Sequence, residues 1–443
     1  MSEYREMSAA ELGRGIGAGR IDPVTLTDAF LAAIETHPHG SRIFARLTAD
    51  RARAEAQAAA RRARDGVRRG PLDGVPISWK DLFDTAGTPT EAGSALLAGR
   101  TPDADAEVLS RAARAGLVCL GKTHMTELAF AGLGYNPITA TPPNRYDADL
   151  LPGGSSSGAA TSVGYGLAAI GIGSDTGGSV RVPSAWNDLI GLKTSSGLLP
   201  LDGVVKLCPR FDTVGPLVRT VEDAALIHGV LSNTPAPDLA QATLQGTRLL
   251  VLDTIARDGL DGAVADGVQA AIEKLAAAGA SITERALPAV ADAMDTSGTV
   301  FSTEAYATCG ELIETAPEKM FPNVLERFRG GRDVSAVAYL RAWDRLRTAR
   351  ADYLQATSGF DAVLVPTAPT LPPTIAEVAE DAEVYAARNL MALRNTRIGN
   401  LLDLCVLTLP TGTRHVGLSL MAPPLHEAHL LRLGAAAEAA LAS

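Results

Sequence analysis

Long hydrophobic runs are missing from this 443-residue sequence, and none approaches the ~20 residues that a membrane-spanning helix needs. The first residues, MSEYREM, are polar and acidic and do not have the pattern of a secretory signal. Cysteine is scarce as well: Cys119, Cys208, Cys309 and Cys405 are widely spaced and form no CxxC pair. Such cysteines are typical of reduced, buried thiols, so we expect a cytoplasmic protein that is not attached to a membrane.

Basic residues and aromatic residues are also in deficit. The 40 lysines and arginines are outnumbered by 50 aspartates and glutamates, which gives a net charge of −10. A field of this sign repels nucleic acid, so we expect no direct nucleic-acid partner. Aromatic residues make up only 5% of the chain, whereas glycine occurs 43 times and hydrophobic residues make up 46%. This composition supplies a large core and many small residues for close packing of helices on a sheet.

Short apolar segments alternate along the chain with segments of helical pattern. Asp22 followed by Pro23 predicts the start of one helix, and residues 262–278 have the amphipathic pattern of another. Residues 249–252 and 360–366 have the length and composition of buried strands. This alternation predicts an α/β fold in which helices cover both faces of a β-sheet.

Two segments rich in glycine and serine carry the strongest functional signal, GGSSSG at 153–158 and GSDTGGSVRVP at 173–183. Ser155 and Ser179 lie 24 positions apart, and the residues between them suffice for one helix and one strand that bring the two loops together. A serine attacks an amide only when a base takes its proton and hydrogen-bond donors stabilise the developing oxyanion. The glycines before Ser179 allow several backbone N–H groups to converge on one point, which favours Ser179 as a nucleophile.

A base for this serine is harder to find, because none of the seven histidines lies near the two loops in sequence. Lys80 follows the apolar segment 75–79, which is typical of a strand, so its amine is a candidate for burial. Desolvation must lower the pKa of this lysine from ~10.4 by about 3 pH units, which corresponds to roughly 4 kcal/mol, before the amine can act as a base. Ser155 could then pass the proton of Ser179 to Lys80.

These residues resemble those of the amidase signature family, which includes malonamidase, fatty acid amide hydrolase, allophanate hydrolase and the A component of glutamyl-tRNA amidotransferase. Lys80 and Ser155 are 75 positions apart, and both this interval and the interval of 24 match the family's pattern. Further similar segments are GVPISWKD (74–81), GKT (121–123), DTVGP (212–216), VPT (365–367) and LPTG (409–412).

The resemblance implies a Ser–Ser–Lys triad with an acyl-enzyme intermediate. In this triad Ser179 is the nucleophile, Ser155 is the bridging serine, preceded by a cis peptide bond from Gly154, and Lys80 is the base. The backbone of Ser179 also belongs to the implied oxyanion hole, together with Thr176, Gly177 and Gly178. Three residues are implied to support the site without reacting, namely Ser156, Asp175 and Arg181.

The substrate pocket is less clearly indicated. Phe130, which we expect on a helix after the GKT segment, is interpreted either as a core residue or, by position in the family, as lining the acyl pocket together with Ala129 and Ala131. Arg210 is interpreted either as a surface charge or as a group that binds a polar part of the substrate. Three departures from the family's pattern are candidates for reshaping this pocket, namely Trp186 with Asn187, Thr194 and Arg210.

The resemblance also implies an architecture and a set of partners. We expect the amidase signature fold, a large mixed β-sheet with helices on both faces, in one domain over residues 1–443. Within it, residues 1–69 would be a helical region, 70–231 the catalytic core and 232–443 the half that completes the sheet and pocket. The implied enzyme acts on a small-molecule amide, uses no cofactor and no metal, and is compatible with a homodimer. His124, His426 and His429 are accordingly interpreted as structural.

Two other functions use the same residues. One is the A component of a tRNA-dependent amidotransferase complex, although the chain is somewhat short for that component and Arg210 departs from its pattern. The other is an inactive family member that only binds, for which loss of a triad residue would be expected, and none is lost.

Two further motifs match without their usual context. GLVCLGKT at 116–123 fits the P-loop expression, but its apolar run lies between the glycines, whereas a P-loop strand precedes the first glycine. GSSSG at 154–158 fits the nucleophile elbow GxSxG, but the preceding residues 147–152, DADLLP, are a poor strand. We therefore expect neither a nucleotide site nor an α/β-hydrolase elbow.

Overall fold

The computed structural model describes residues 3–442, which contain eleven β-strands and sixteen α-helices. The strands are β1 (Phe44–Leu47), β2 (Pro76–Lys80), β3 (Val118–Thr123), β4 (Ile170–Asp175), β5 (Ile190–Lys193), β6 (Thr213–Val218), β7 (Arg248–Leu252), β8 (Ser281–Arg285), β9 (Ala362–Pro366), β10 (Cys405–Pro410) and β11 (Gly417–Ala422).

The helices are α1 (Ala9–Gly17), α2 (Pro23–Thr36), α3 (Gly40–Ile43), α4 (Ala49–Arg64), α5 (Glu107–Arg114), α6 (Ser157–Gly164), α7 (Arg181–Trp186), α8 (Val221–Ser232), α9 (Gly262–Ala277), α10 (Pro288–Ile313), α11 (Pro322–Arg329), α12 (Ala336–Thr357), α13 (Ile375–Ala379), α14 (Ala382–Ala392), α15 (Arg394–Leu401) and α16 (Glu427–Leu441). Within the described residues, none of these helices combines the length and the hydropathy needed to cross a membrane.

The strands form one mixed sheet in the order β1-β3-β2-β4-β6-β5-β10-β11-β9-β7-β8. Strand β2 is parallel to both of its neighbours, β3 and β4, and β7 is parallel to β8 and β9. The remaining pairs are antiparallel. The predicted α/β fold with a large mixed sheet is therefore confirmed.

Helices lie on both faces of this sheet, as the contacts of β10 illustrate. Val406 lies against Gly399 of α15, whereas the next residue, Leu407, lies against Gly434 of α16. Because successive side chains of a strand point to opposite faces, α15 and α16 cover opposite sides of the sheet.

Local sequence signals account for the helix starts that were predicted. The Asp22 carboxylate accepts a hydrogen bond from the Thr25 N–H at 2.9 Å, and Pro23 occupies the first position of α2, where its missing N–H costs nothing. The other predicted helix and both predicted strands correspond to α9, β7 and β9. These predictions are confirmed to within one or two residues at each end.

The P-loop match lies inside the sheet. Strand β3 runs through residues 118–123, so the GKT segment is extended backbone between two neighbouring strands. The Lys122 amine donates a hydrogen bond to Thr90 Oγ1 at 2.9 Å and lies 3.2 Å from an Asp81 carboxylate oxygen. Lys122 therefore has internal partners, which supports the expectation that these residues do not form a nucleotide site.

Each of the three predicted segments contributes strands to the same sheet. Residues 1–69 provide β1, which was not predicted, so this region is not purely helical. Residues 70–231 provide β2 to β6 and residues 232–443 provide β7 to β11, with β10 paired to β5. Residues 233–247 form the loop between α8 and β7.

We expect Gly215→Ala to destabilise the sheet between β6 and β5. A Cβ at this position would lie 2.0 Å from the Leu192 carbonyl oxygen, so the backbone must shift, which should lower the free energy of unfolding by about 2–3 kcal/mol. Urea denaturation followed by circular dichroism measures this change. Gly262→Ala is the matched control, because a Cβ there meets nothing within 4 Å. Equal stability of the two variants would contradict the close approach at Gly215.

Candidate active site

The candidate site lies at the edge of the sheet where two parallel strands end side by side. Lys80 is the last residue of β2, and Ser174 and Asp175 are the last residues of β4. Ser155 lies in the loop that leads into α6, and Ser179 lies in the loop between β4 and α7. Parallel neighbours end at the same edge, so the topology brings together residues that are about a hundred positions apart.

The Lys80 side chain is fully buried, as its sequence context predicted. Its Nζ donates hydrogen bonds to Ser155 Oγ at 2.7 Å and to Ser174 Oγ at 2.8 Å. Burial lowers the pKa of Lys80 to about 7, although the carboxylates of Asp175 and Asp212 act in the opposite direction. A large fraction of the amine is therefore uncharged near neutral pH, as a general base requires.

The two serine loops contact each other, which confirms that they fold together. The Ser156 N–H donates to the Ser179 carbonyl at 3.2 Å, and Ser156 Oγ donates to the Ser174 carbonyl at 3.2 Å. The peptide bond between Gly154 and Ser155 is cis, as the family resemblance implied. Ser156 therefore joins the end of β4 to both loops, in keeping with its predicted supporting role.

Ser179 borders a small cavity, and its side chain is almost fully buried. Within residues 3–442 its hydroxyl makes no hydrogen bond, so Ser155 and Ser179 are not joined through their side chains. Catalytic hydrogen bonds are often long or open until a substrate is bound, so this geometry is compatible with a relay that closes on binding.

The predicted oxyanion hole depends on backbone N–H groups around Ser179 that are free to donate. The N–H groups of Thr176, Gly177 and Ser179 have no hydrogen-bond acceptor in the described part of the chain. The Gly178 N–H instead donates to Asp175 Oδ1 at 2.9 Å, so it is already engaged. The expectation for Gly178 is therefore revised from oxyanion donor to turn residue.

Gly178 is required by the shape of this turn. Its φ is +137°, and a Cβ would lie 2.1 Å from Thr396 Oγ1. Thr396 Oγ1 donates to the Gly177 carbonyl at 2.7 Å, which fixes the turn against α15. Only glycine permits both the backbone conformation and the close approach.

A buried ion pair holds the base of the nucleophile loop. Asp175 accepts hydrogen bonds from Arg181 Nε at 3.0 Å and Nη2 at 2.8 Å, from the N–H groups of Gly178 and Val180, and from Asn400 Nδ2 at 2.9 Å. Burial alone would raise the pKa of Asp175, but the Arg181 guanidinium holds it well below its ordinary value. The carboxylate is thus fully charged and satisfied, which fits a structural rather than a reacting group.

Two residues that contact the site were not predicted. Ser174 is the second acceptor for Lys80 Nζ. Asp212 accepts a hydrogen bond from Thr176 Oγ1 at 2.5 Å and others from the N–H groups of Leu207 and Cys208. The sequence marked these two residues only by their positions next to recognised segments. Ser174 directly precedes Asp175, and Asp212 is the first residue of the DTVGP segment.

The predicted pocket residues Ala129, Phe130 and Ala131 line the cavity beside Ser179. Phe130 is not on a helix, however, because a 3₁₀ helix at Glu127–Ala129 ends before it and Ala129 has a φ of +60°. The helix ends at this irregular backbone, and the segment lines the cavity in a non-helical conformation.

The residues that depart from the family's pattern do not line this cavity. They are Arg210, Trp186, Asn187 and Thr194. Arg210 is mostly exposed, and its guanidinium lies 3.4 Å from Glu304 Oε2. Trp186 is buried in a core cluster and donates to the Thr370 carbonyl at 3.0 Å, while Thr194 Oγ1 donates to the Val214 carbonyl at 2.9 Å. The prediction that these residues reshape the pocket is not supported, because each has other partners.

Four residues of the cavity lining come from distant segments that sequence reasoning missed. They are Phe301, Arg327, Leu393 and Arg397. A second cavity of about 460 Å³ shares four of its lining residues with this one, namely Phe130, Phe301, Arg327 and Arg397. No local motif marks these positions.

Comparisons with a family model, with known sequences and with solved structures all match this chain over most of its length. Residues 25–431 match the Amidase family model. The chain is 37% identical to 2-amino-5-chloromuconic acid deaminase of Comamonas testosteroni, over 98% of this chain and 97% of that one. It is 31% identical to the A component of the glutamyl-tRNA(Gln) amidotransferase of Thermobifida fusca (strain YX), over 100% of this chain and 97% of that one. A crystal structure of an amidase matches with a TM-score of 0.88 and 28% identity, covering 98% of this chain and 99% of that one.

The chain therefore belongs to the amidase family, whose members are hydrolases that act on the carbon–nitrogen bonds of amides.

We expect the pH dependence of kcat/KM to report the buried amine. Because burial lowers the pKa of Lys80 to about 7, kcat/KM should fall about tenfold per pH unit below that value and level off above it. Initial rates over a pH series, with circular dichroism to confirm folding at each pH, measure the profile. A profile that keeps rising to about pH 10, near the ordinary pKa of lysine, would contradict a desolvated base.

We expect Asp175→Ala to destabilise the protein strongly, since it leaves the buried Arg181 guanidinium without its carboxylate. The free energy of unfolding should fall by about 3–5 kcal/mol, measured by urea denaturation. Asp344→Ala is the control, because Asp344 pairs with Arg347 on an exposed helix face and should change stability by less than about 1 kcal/mol. If both variants lost the same amount, the structural role of Asp175 would be excluded.

Proposed function

We propose that this protein hydrolyses a carboxamide through an acyl-serine intermediate, with Ser179 as nucleophile, Ser155 as relay and Lys80 as base. The observation that carries the proposal is the 2.7 Å hydrogen bond between a fully buried lysine amine and Ser155 Oγ. A buried lysine with two hydroxyl partners and no carboxylate in contact is unusual for a purely structural residue.

In the acylation step, Ser179 Oγ attacks the amide carbonyl carbon while its proton moves to Ser155 Oγ. The proton of Ser155 moves to Lys80 Nζ, so that the amine becomes an ammonium. The carbonyl oxygen acquires a negative charge, which the N–H groups of Thr176, Gly177 and Ser179 stabilise. The ammonium then returns its proton through Ser155 to the departing nitrogen, the carbon–nitrogen bond breaks, and the acyl group remains on Ser179.

Deacylation reverses these roles with water in place of the amine. Water gives its proton through Ser155 to the neutral Lys80, its oxygen attacks the acyl carbon, and Ser179 leaves with a proton from the lysine. The acid and the nitrogen product are released, and no cofactor takes part.

Ser174 positions the base in this proposal. A neutral amine has two N–H groups and one lone pair. If one N–H donates to Ser174 Oγ, the amine is oriented so that its lone pair can point towards Ser155 Oγ. Ser174 is thus a positioning residue rather than a catalytic one.

The same triad supports a second candidate function, the A component of an amidotransferase complex. It is favoured by the full-length likeness to the Thermobifida fusca protein. Amide hydrolysis by the isolated chain would exclude a strict requirement for partner proteins, whereas activity only in the presence of partners would favour it. We also propose a cytoplasmic location, because the cysteines of the described chain are free and buried.

We expect Ser179→Ala and Lys80→Met each to lower the turnover of any amide that the wild type accepts by at least about 10³-fold. A fluorophosphonate probe should label the wild type at Ser179 but not the Ser179→Ala variant, as peptide mass spectrometry can show. Ser358→Ala, at an exposed position after α12, is the matched control and should behave as wild type. Wild-type turnover by Ser179→Ala would rule out the proposed nucleophile.

A further inference from the structure

Two arginines border the cavity beside the nucleophile. Arg327 on α11 and Arg397 on α15 line the small cavity that Ser179 and Gly177 also line, and both also line the larger cavity of about 460 Å³. A guanidinium beside a nucleophile indicates an anionic ligand only if no carboxylate of the protein already pairs with it.

Arg327 has no such partner. Its guanidinium carbon lies 4.5 Å from the centre of the Phe130 ring, and its Nη1 is buried without a hydrogen-bond acceptor. Within residues 3–442 its side chain forms neither an ion pair nor a hydrogen bond to a carboxylate. The aromatic face supports the charge but does not neutralise it.

Arg397 is also without a carboxylate in the described part of the chain. Its guanidinium donates to the carbonyls of Leu393 and Leu390 and to Ser297 Oγ, at 3.1 to 3.2 Å. A Cβ built on Gly177 would lie 3.5 Å from Arg397 Cγ, so this side chain passes directly beside the oxyanion turn. The aliphatic stem of Arg397 therefore lies against this turn, and the residue lines the same cavity as Ser179.

The two guanidinium groups repel each other. Burial lowers the pKa of Arg397 to about 10, and the charge of Arg327 acts in the same direction. Burial likewise lowers the pKa of Arg327. Holding two buried like charges together is unfavourable unless an anion joins them.

Other polar groups of the larger cavity also fit an anion. Tyr385 is 3% exposed, and its buried hydroxyl has no hydrogen-bond partner. The acidic residue of the lining, Glu326, is engaged by Arg329 at 3.1 Å, and the side-chain amide oxygen of Asn389 accepts from the Gly132 N–H at 2.7 Å. The buried groups of this lining without partners in the described chain are Arg327 Nη1 and the Tyr385 hydroxyl, and both can donate to the oxygens of a carboxylate.

We propose that the substrate is an amide that carries a carboxylate, which Arg327 and Arg397 bind, with the Tyr385 hydroxyl as a further donor, while the amide carbonyl lies over Ser179. This inference rests on the amidase function proposed above and names its substrate class. Since both arginines line the cavity of the nucleophile, only a short chain separates the carboxylate from the scissile carbonyl. The carboxylate belongs either to the acyl part or to the amine part of the amide.

The first test compares charged and neutral amides of the same size. If the carboxylate is on the acyl part, we expect at least one of malonamate, succinamate, glutaramate and adipamate to be hydrolysed with a kcat/KM at least about tenfold above that of the corresponding neutral diamide. If it is on the amine part, N-acetyl-β-alanine should exceed the neutral N-propylacetamide by a similar factor. No preference for the charged amide in either comparison would overturn the inference.

The second test removes the charge. Arg327→Met should raise KM for the preferred carboxylated amide by about 10- to 100-fold and leave the diamide nearly unchanged, because hydrogen bonds to charged groups contribute about 1.5–3 kcal/mol each. Arg347→Met, on the exposed face of α12, is the matched control and should change neither value. Equal losses for both substrates would show a general effect on the site and contradict the proposal.

A third variant tests the same anion site even if Arg327→Met does not fold. Tyr385→Phe removes one hydroxyl that has no internal partner, so stability should be unchanged while KM for the carboxylated amide rises about 2- to 10-fold. An unchanged KM would exclude Tyr385 from the anion site.

Binding to Ser179→Ala separates this inference from the proposed function. Calorimetry should detect glutarate binding that Arg327→Met abolishes in the same background, whether or not Ser179 is a nucleophile. Failure of the fluorophosphonate to label the wild type would count against the proposed function alone. Absence of dicarboxylate binding despite labelling, or equal competition by inorganic phosphate, would overturn the carboxylate assignment alone.

Discussion

Removal of the Lys80 amine from water is the constraint on which the site depends. Lowering the pKa of this lysine from 10.5 to about 7 corresponds to about 5 kcal/mol against its charged form. The sheet imposes this burial, because β2 lies between β3 and β4 and Lys80 is its last residue. The hydroxyls of Ser155 and Ser174 provide polar partners without supplying the negative charge that would restore the ammonium.

The nucleophile loop needs a different kind of support, because its backbone must expose N–H groups without other acceptors. Asp175 and Arg181 supply this support as a buried, fully hydrogen-bonded pair. Arg181 also donates to the Thr396 carbonyl at 2.6 Å, which connects the pair to α15. The same helix carries Arg397 into the cavity, so the catalytic turn and the proposed carboxylate site share one rigid element.

Several features of the site could be predicted from the sequence because they are encoded over short distances. Lys80 at the end of an apolar strand and the two glycine–serine loops are local patterns, and the structure brings all three residues to one edge of the sheet. The prediction for Gly178 was incomplete, since only the fold shows that its N–H donates to Asp175. Phe130 was expected on a helix, but the positive φ of Ala129 interrupts it.

The pocket was the least predictable part. Arg210 lies in a segment that matches the family, but it pairs with Glu304 at the surface, whereas Arg327 and Arg397 carry no motif and reach the cavity from α11 and α15. Partners of this kind are separated by more than a hundred positions from the nucleophile, so their proximity depends on how the helices pack on the sheet.

By itself, the sequence determined the α/β class, the family and the candidate lysine and serines, because strand periodicity, glycine turns and the spacing of a lysine and two serines are properties of neighbouring positions. The tertiary structure alone decided the burial of the amine, the backbone N–H groups left without acceptors and the arginines that line the cavity. These properties depend on which groups exclude water from one another, and burial is fixed only when distant segments pack together.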